Sequence, residues 1–151
     1  MTMRALDLFP SRGRPRPSRE RKPPLPREQQ WHIDLVRTIR EKHLLSHGWR
    51  MTHFPAGGQR TKKAGAILKA MGLERGWPDL LVCRPRGLEH SVGLMHGLEL
   101  KRRGEELTDA QEEVQAWFLA NGWPYAWVDR IEDAWAVLWS WGALRLRVVS
   151  S

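Results

Sequence analysis

The sequence predicts an α/β layered domain, and three observations carry that prediction. Segments of helical and of extended character alternate along the chain. Two apolar runs, Leu80-Leu81-Val82-Cys83 and Leu94 to Lys101, have the length and content of central strands. The composition, 41% hydrophobic with nine Trp in 151 residues, supplies enough apolar material for one core and excludes wholesale disorder. Interleaved elements of this kind build layers of helix on sheet rather than a sandwich or a bundle.

Each element follows from local signals. From Glu28 to about His47, the residues Glu28, His32, Leu35, Val36 and Ile39 share one helical face, and Pro26 suits the first turn. Glu28 and His32 extend the apolar stripe at its N-terminal end, so that end is expected to face a polar pocket while the rest faces core. Gly48 stops the helix, and Trp49 to Phe54 alternates as a strand does. Past the Gly57-Gly58 loop, Lys62 to Met71 reads as a short helix closed by Gly72. Pro78 is permitted at the start of the strand that Leu80 to Cys83 forms.

On the second central strand, from Gly93 to Lys101, the two-residue period puts Gly97, Glu99 and Lys101 on one face and His96, Leu98 and Leu100 on the other. Thr108-Asp109-Ala110-Gln111 has the spacing of a capping box. The helix it opens has Ala110, Val114, Trp117 and Phe118 as its apolar face, and Asn121-Gly122 ends it. Pro124 to Val128 makes another strand. Ile131 to about Trp139 makes another helix, with Trp135, Trp139 and Trp141 assigned to core packing. Leu144 to Val149 is expected as a terminal strand with Arg145 and Arg147 alternating outward.

Charge divides the chain unevenly. Between Arg4 and Arg27 stand eight basic residues against Asp7 and Glu20, which accounts for six of the eight net positive charges, and the same segment holds six of the ten prolines. Residues 1–27 therefore read as a flexible basic arm and 28–151 as the folded domain. Such an arm suits a polyanion, because Lys and Arg release counterions from phosphates without a fixed fold. Arg60, Lys62, Lys63 and Lys69 form a second basic cluster expected to meet phosphate, and Arg102 and Arg103 join this DNA-binding set. No apolar run approaches the roughly 20 residues of a membrane span, and no apolar segment of signal-peptide type follows the first charges. With Cys83 as the one cysteine, an internal disulfide is excluded, and a soluble, cytoplasmic, non-secreted protein is expected. An apolar neighbourhood should keep the Cys83 thiol inert.

The chemistry gathers at Asp79, at the mouth of one strand, and at Glu99 and Lys101 on the next. Burying Glu99 and Lys101 in a central strand is costly unless they are paired, hydrogen-bonded or bound to a cation. Hard oxygen donors from two carboxylates suit Mg²⁺ or Mn²⁺ completed by water and phosphate. An ion held there polarises a phosphodiester and acidifies bound water, and Lys101 beside it can orient the water or neutralise developing charge. Other candidates are weaker. His43 and His47 have i, i+4 spacing without the Glu or Cys that a zinc site needs, and His53 and His96 are expected as packed strand residues.

Gly76-Trp77-Pro78-Asp79-Leu80-Leu81, then Gly97-Leu98-Glu99-Leu100-Lys101, then Leu107-Thr108-Asp109-Ala110-Gln111 and Asn121-Gly122-Trp123 together resemble the virus-type replication-repair nuclease domain, VRR-NUC, a branch of the PD-(D/E)XK nucleases. The resemblance runs from about Glu28 to Val128. It implies a restriction-endonuclease-like core, a mixed central sheet flanked by helices. It also implies Asp79 and Glu99 as metal ligands, the Leu100 carbonyl as a further ligand, Lys101 as the catalytic lysine, Gln111 approaching from its helix, and Glu28 as the acidic residue of the first helix. Gln111 is equally explained as the capping-box residue reaching back to Thr108.

The function expected from these residues is metal-dependent endonuclease activity on DNA. No base-reading module is recognisable, so selectivity is expected for shape, and the resemblance points to branched DNA, forks and four-way junctions. Symmetric cutting of a junction would call for a homodimer. Two alternatives stand beside this reading. One is a non-catalytic DNA-binding or adaptor protein on the same fold, against which the joint presence of Asp79, Glu99 and Lys101 argues. The other is a sequence-specific restriction-type endonuclease.

Overall fold

The computed structural model describes residues 27–55, 61–87 and 94–146. Residues 1–26 of the basic arm, Arg60, and the end of the expected terminal strand lie outside the described residues. The element order is α1 (Arg27–Glu41), β1 (Arg50–His53), α2 (Lys62–Ala70), β2 (Leu80–Cys83), β3 (Met95–Leu100), α3 (Asp109–Ala120), β4 (Tyr125–Val128) and α4 (Ile131–Ser140).

The four strands form one mixed sheet in the order β1-β2-β3-β4. The pairs β1/β2 and β2/β3 are antiparallel, and β3/β4 is parallel, as a strand–helix–strand crossover through α3 requires. Parity sorts the two faces as the pattern predicts. Leu80, Val82, Leu98 and Leu100 are fully buried in one cluster with Leu35 and Ile39 of α1 and Ala134 and Leu138 of α4. Each such aliphatic side chain contributes about 1.5–3 kcal/mol by leaving water. Trp135 and Trp141 pack against this core, whereas Trp139 is 51% exposed at the surface, contrary to its expected place, because it falls on the outer side of α4.

The other face carries aromatic packing. Phe118 of α3, fully buried, meets Trp77, Trp117, Trp123 and Tyr125 at ring-centroid distances of 5.4–5.8 Å. Gly97 makes room for it: a Cβ there would lie 2.8 Å from the Tyr125 ring, 2.9 Å from Pro78 and 3.1 Å from Phe118.

Two elements differ from expectation. The first helix stops at Glu41 and not near His47. His43 takes φ 50°, its amide donates to the Arg40 carbonyl and the Leu44 amide to the Ile39 carbonyl, which is a Schellman ending with histidine in the place glycine usually fills. His43 and His47 therefore do not share a helical face, and the zinc-like spacing has no structural counterpart. The terminal strand expected from Leu144 is, within the described residues, a single antiparallel bridge between Leu144 and Leu45. It ties the chain after α4 to the chain after α1, with Ser46 donating to Ala143 at 2.8 Å. No described helix is long and apolar enough to cross a membrane.

Candidate functional site

The site is built where β2 enters the sheet and β3 leaves it, on the α3 side. Leu80 pairs with Leu98, which sets Asp79 beside Glu99. The two are clasped reciprocally: the Asp79 amide donates to Glu99 Oε2 at 3.1 Å, and the Leu100 amide donates to Asp79 Oδ2 at 3.0 Å. Gly76 lets the approach to Asp79 lie against the start of α3. It has φ +84°, and a Cβ on it would come within 2.0 Å of the Ala110 carbonyl oxygen.

That contact brings the third residue of α3, Gln111, into the site. Its Nε2 donates to Glu99 Oε1, while its Oε1 accepts from Lys101 Nζ at 2.5 Å and from the Thr108 amide at 2.9 Å. Gln111 thus serves as the capping-box residue and as a site residue at once. Lys101 Nζ lies 3.6 Å from Glu99 Oε1, and the two residues are only 8% and 4% exposed.

Electrostatics follows from this burial. Desolvation, reinforced by the Asp79 charge, pushes the Glu99 carboxyl up to about 8 against the opposing pull of Lys101. Burial likewise raises Asp79, partly offset by the hydrogen bond from Leu100. The Tyr125 hydroxyl is buried without a hydrogen-bond partner among the described residues and is pushed up by burial and by these same carboxylates. Two carboxyl groups whose charged forms are disfavoured in so dry a place, with one lysine beside them, are hard oxygen donors that fit a divalent cation of the Mg²⁺ or Mn²⁺ type.

A histidine pair adjoins them. His32 of α1 and His53 of β1 meet edge to face with centroids 5.0 Å apart, and the Asp79 carbonyl accepts from His53 Nδ1 at 2.9 Å. One ligand atom from each of His32, His53 and Asp79 lies within 4.8 Å of the others. Burial, with His53 adding to it, lowers His32 to about 4. His53 is therefore not the packed strand residue that its place in an alternating segment suggests; it stands exposed beside Asp79. The usable signal is His32, which shares a helical face with the position of Glu28 and so marks the polar end of α1. His96 does pack as expected: it is 3% exposed, lies between Trp49 and Trp141, and donates from Nδ1 to the Val82 carbonyl.

The remaining candidates spread outward. Lys62, Lys63 and Lys69 are exposed on α2, and Arg102 and Arg103 are exposed in the loop after β3. The Glu28 side chain and Arg60 lie outside the described residues. Cys83 is half-buried, and burial pushes its thiol up, away from reactivity.

Fold and site together define a mixed α/β protein with a buried carboxylate, lysine and amide centre on the open end of its sheet. No protein-family model and no curated protein matches the chain. A solved structure described as a VRR_NUC domain protein is similar to it at a TM-score of 0.56 and 23% identity, covering 76% of this chain and 86% of that one. The fold, a mixed four-stranded sheet flanked by helices, is VRR-NUC-like.

Proposed function

We propose that the chain is a metal-dependent endonuclease of the PD-(D/E)XK type that hydrolyses phosphodiester bonds in DNA. The observation that carries this reading is the convergence of Asp79 and Gln111 on the buried Glu99 and Lys101 on a VRR-NUC-like fold. Asp79 and Glu99, with the Leu100 carbonyl, hold Mg²⁺ or Mn²⁺, and Glu28 from α1 is assigned to the same group. A divalent ion so held supplies Lewis-acid polarisation of the phosphodiester and a more acidic bound water.

The chain's own residues do the rest. Lys101 presents its ammonium where negative charge develops on the phosphoryl oxygens, at a position fixed by Gln111. Gln111 holds Glu99 with its other end, so one amide sets the geometry of both groups. Lys62, Lys63, Lys69, Arg102 and Arg103, together with Arg60 and the basic arm, bind backbone phosphates. Contacts of that kind carry no base code, so the substrate is selected by shape, and forks and four-way junctions are the class proposed. Paired cuts across a junction would be made by a homodimer.

The test is cleavage of labelled four-way junction, fork, single-stranded and linear duplex DNA with Mg²⁺, Mn²⁺ or EDTA, the wild type beside Lys101→Ala. The expected result is metal-dependent cutting of branched DNA that falls about 10²–10³-fold in the variant. DNA binding without cutting under either metal would point to an adaptor. Discrete fragments from long linear duplex would point to a restriction-type enzyme.

A further inference from the structure

We infer that His32 and His53 join Asp79 in binding a first-row transition-metal ion, so that the centre has a mixed nitrogen and oxygen donor set and takes Mn²⁺, Co²⁺ or Zn²⁺ in preference to Mg²⁺. The ion's catalytic role rests on the nuclease reading; its binding does not.

Three elements converge to make this donor set. α1 brings His32, β1 brings His53, and the entry to β2 brings Asp79, with one ligand atom of each within 4.8 Å of the others. Donors on one ion at about 2.0–2.2 Å lie no more than about 4.4 Å apart, so a small side-chain adjustment brings all three onto a single ion. On His53, Nδ1 donates to the Asp79 carbonyl at 2.9 Å, which leaves Nε2 as the nitrogen with a lone pair for an ion. A backbone carbonyl fixing the tautomer of an imidazole is the usual outer support of a ligating histidine. Asp79 is oriented in the same way, since the Leu100 amide holds Oδ2 and leaves Oδ1 without a hydrogen bond among the described residues. His53 is exposed, which gives an ion a path from solvent.

Glu99 stays on the oxygen side of the centre assigned above. Both of its oxygens are engaged by the Asp79 amide, Gln111 and Lys101. Imidazole nitrogen favours the transition ions over Mg²⁺, whereas carboxylate and carbonyl oxygen accept either. Two imidazoles beside a carboxylate therefore shift the preference of the whole centre.

The experiment loads the full chain with Mn²⁺ and reads nitrogen hyperfine coupling by electron spin-echo modulation. Mn²⁺ and Mg²⁺ titrations are run alongside on wild type, His32→Gln and His53→Gln. Expected are nitrogen coupling in the wild type, its loss in the double variant, and Mn²⁺ binding weakened about tenfold or more in each single variant while Mg²⁺ binding changes far less. Bound Mn²⁺ without nitrogen coupling in the wild type, a result independent of how any variant folds, overturns the inference. So do histidine variants that bind Mn²⁺ as the wild type does. Cutting of DNA in Mn²⁺ without nitrogen coupling would leave the nuclease reading standing and this inference overturned; coupling in a chain that never cuts would do the reverse.

Discussion

His96 and Glu99 stand three residues apart on β3, 3% and 4% exposed, yet they do different work. His96 faces the aliphatic core, where two indoles cover its ring and a backbone carbonyl takes its proton. Burial holds it below the ordinary histidine value, and it serves as a packing group. Glu99 faces α3, where a second carboxylate, a lysine and an amide converge on it from three directions. Burial of a titratable group is common to both. What marks the site is the number of independent elements that aim polar atoms at one point.

The contrast can be broken most directly by exchanging the two roles. Glu99→Gln is expected to lower DNA cleavage at least about 10³-fold with the fold retained, since a ligand's contribution is several kcal/mol. His96→Ala is expected to cost about 2–4 kcal/mol of stability and to leave cleavage below its melting temperature near wild type. Cleavage rates and denaturant unfolding of both variants check this, and equal loss of cutting in the two would erase the distinction.

Gln111 sharpens it next. Gln111→Ala should lose about 0.5–2 kcal/mol through the cap and also reduce cutting, whereas Gln111→Glu should keep the cap and still reduce cutting by adding a third carboxylate beside Glu99. Thermal melts paired with rates separate the two contributions.

A smaller effect belongs to His96. Below about pH 6.5 the unfolded chain takes up a proton that the buried imidazole refuses, so stability falls as pH drops below that value. Replacing His96 with Phe should flatten this part of the acid-side decline in urea unfolding, and an unchanged slope would contradict it. The smallest effect is expected of His43→Gly, which relieves a left-handed backbone and should raise stability by about 1 kcal/mol in the same assay.

Much of the site was legible in the sequence because it is local or periodic. Strand parity alone separates Glu99 and Lys101 from Leu98 and Leu100, and the capping spacing of Thr108 and Gln111 locates the start of α3. His53 was not legible. Its place beside Asp79 comes from the register of β1 on β2, in which His53 pairs with Leu80, and no local pattern encodes that pairing. The end of α1 was missed for another reason: Gly48 advertises a stop, while the turn is made earlier by a histidine in a conformation that histidine adopts only occasionally. For the expected terminal strand, the described residues show alternation at Leu144 serving an isolated bridge to Leu45, a long-range pairing that no local pattern encodes.

The central claim is that Glu99 shares its buried place with a cation. It is tested most directly by titrating Mn²⁺ into the full chain at pH 7 in buffers of different ionisation enthalpy, which counts the protons released. With Glu99 held up to about 8, the metal-free carboxyl carries a proton that the ion must displace. Release of about one proton per ion bound is expected, and its loss in Glu99→Gln. Mn²⁺ binding without proton release, or with the same release in that variant, would contradict it.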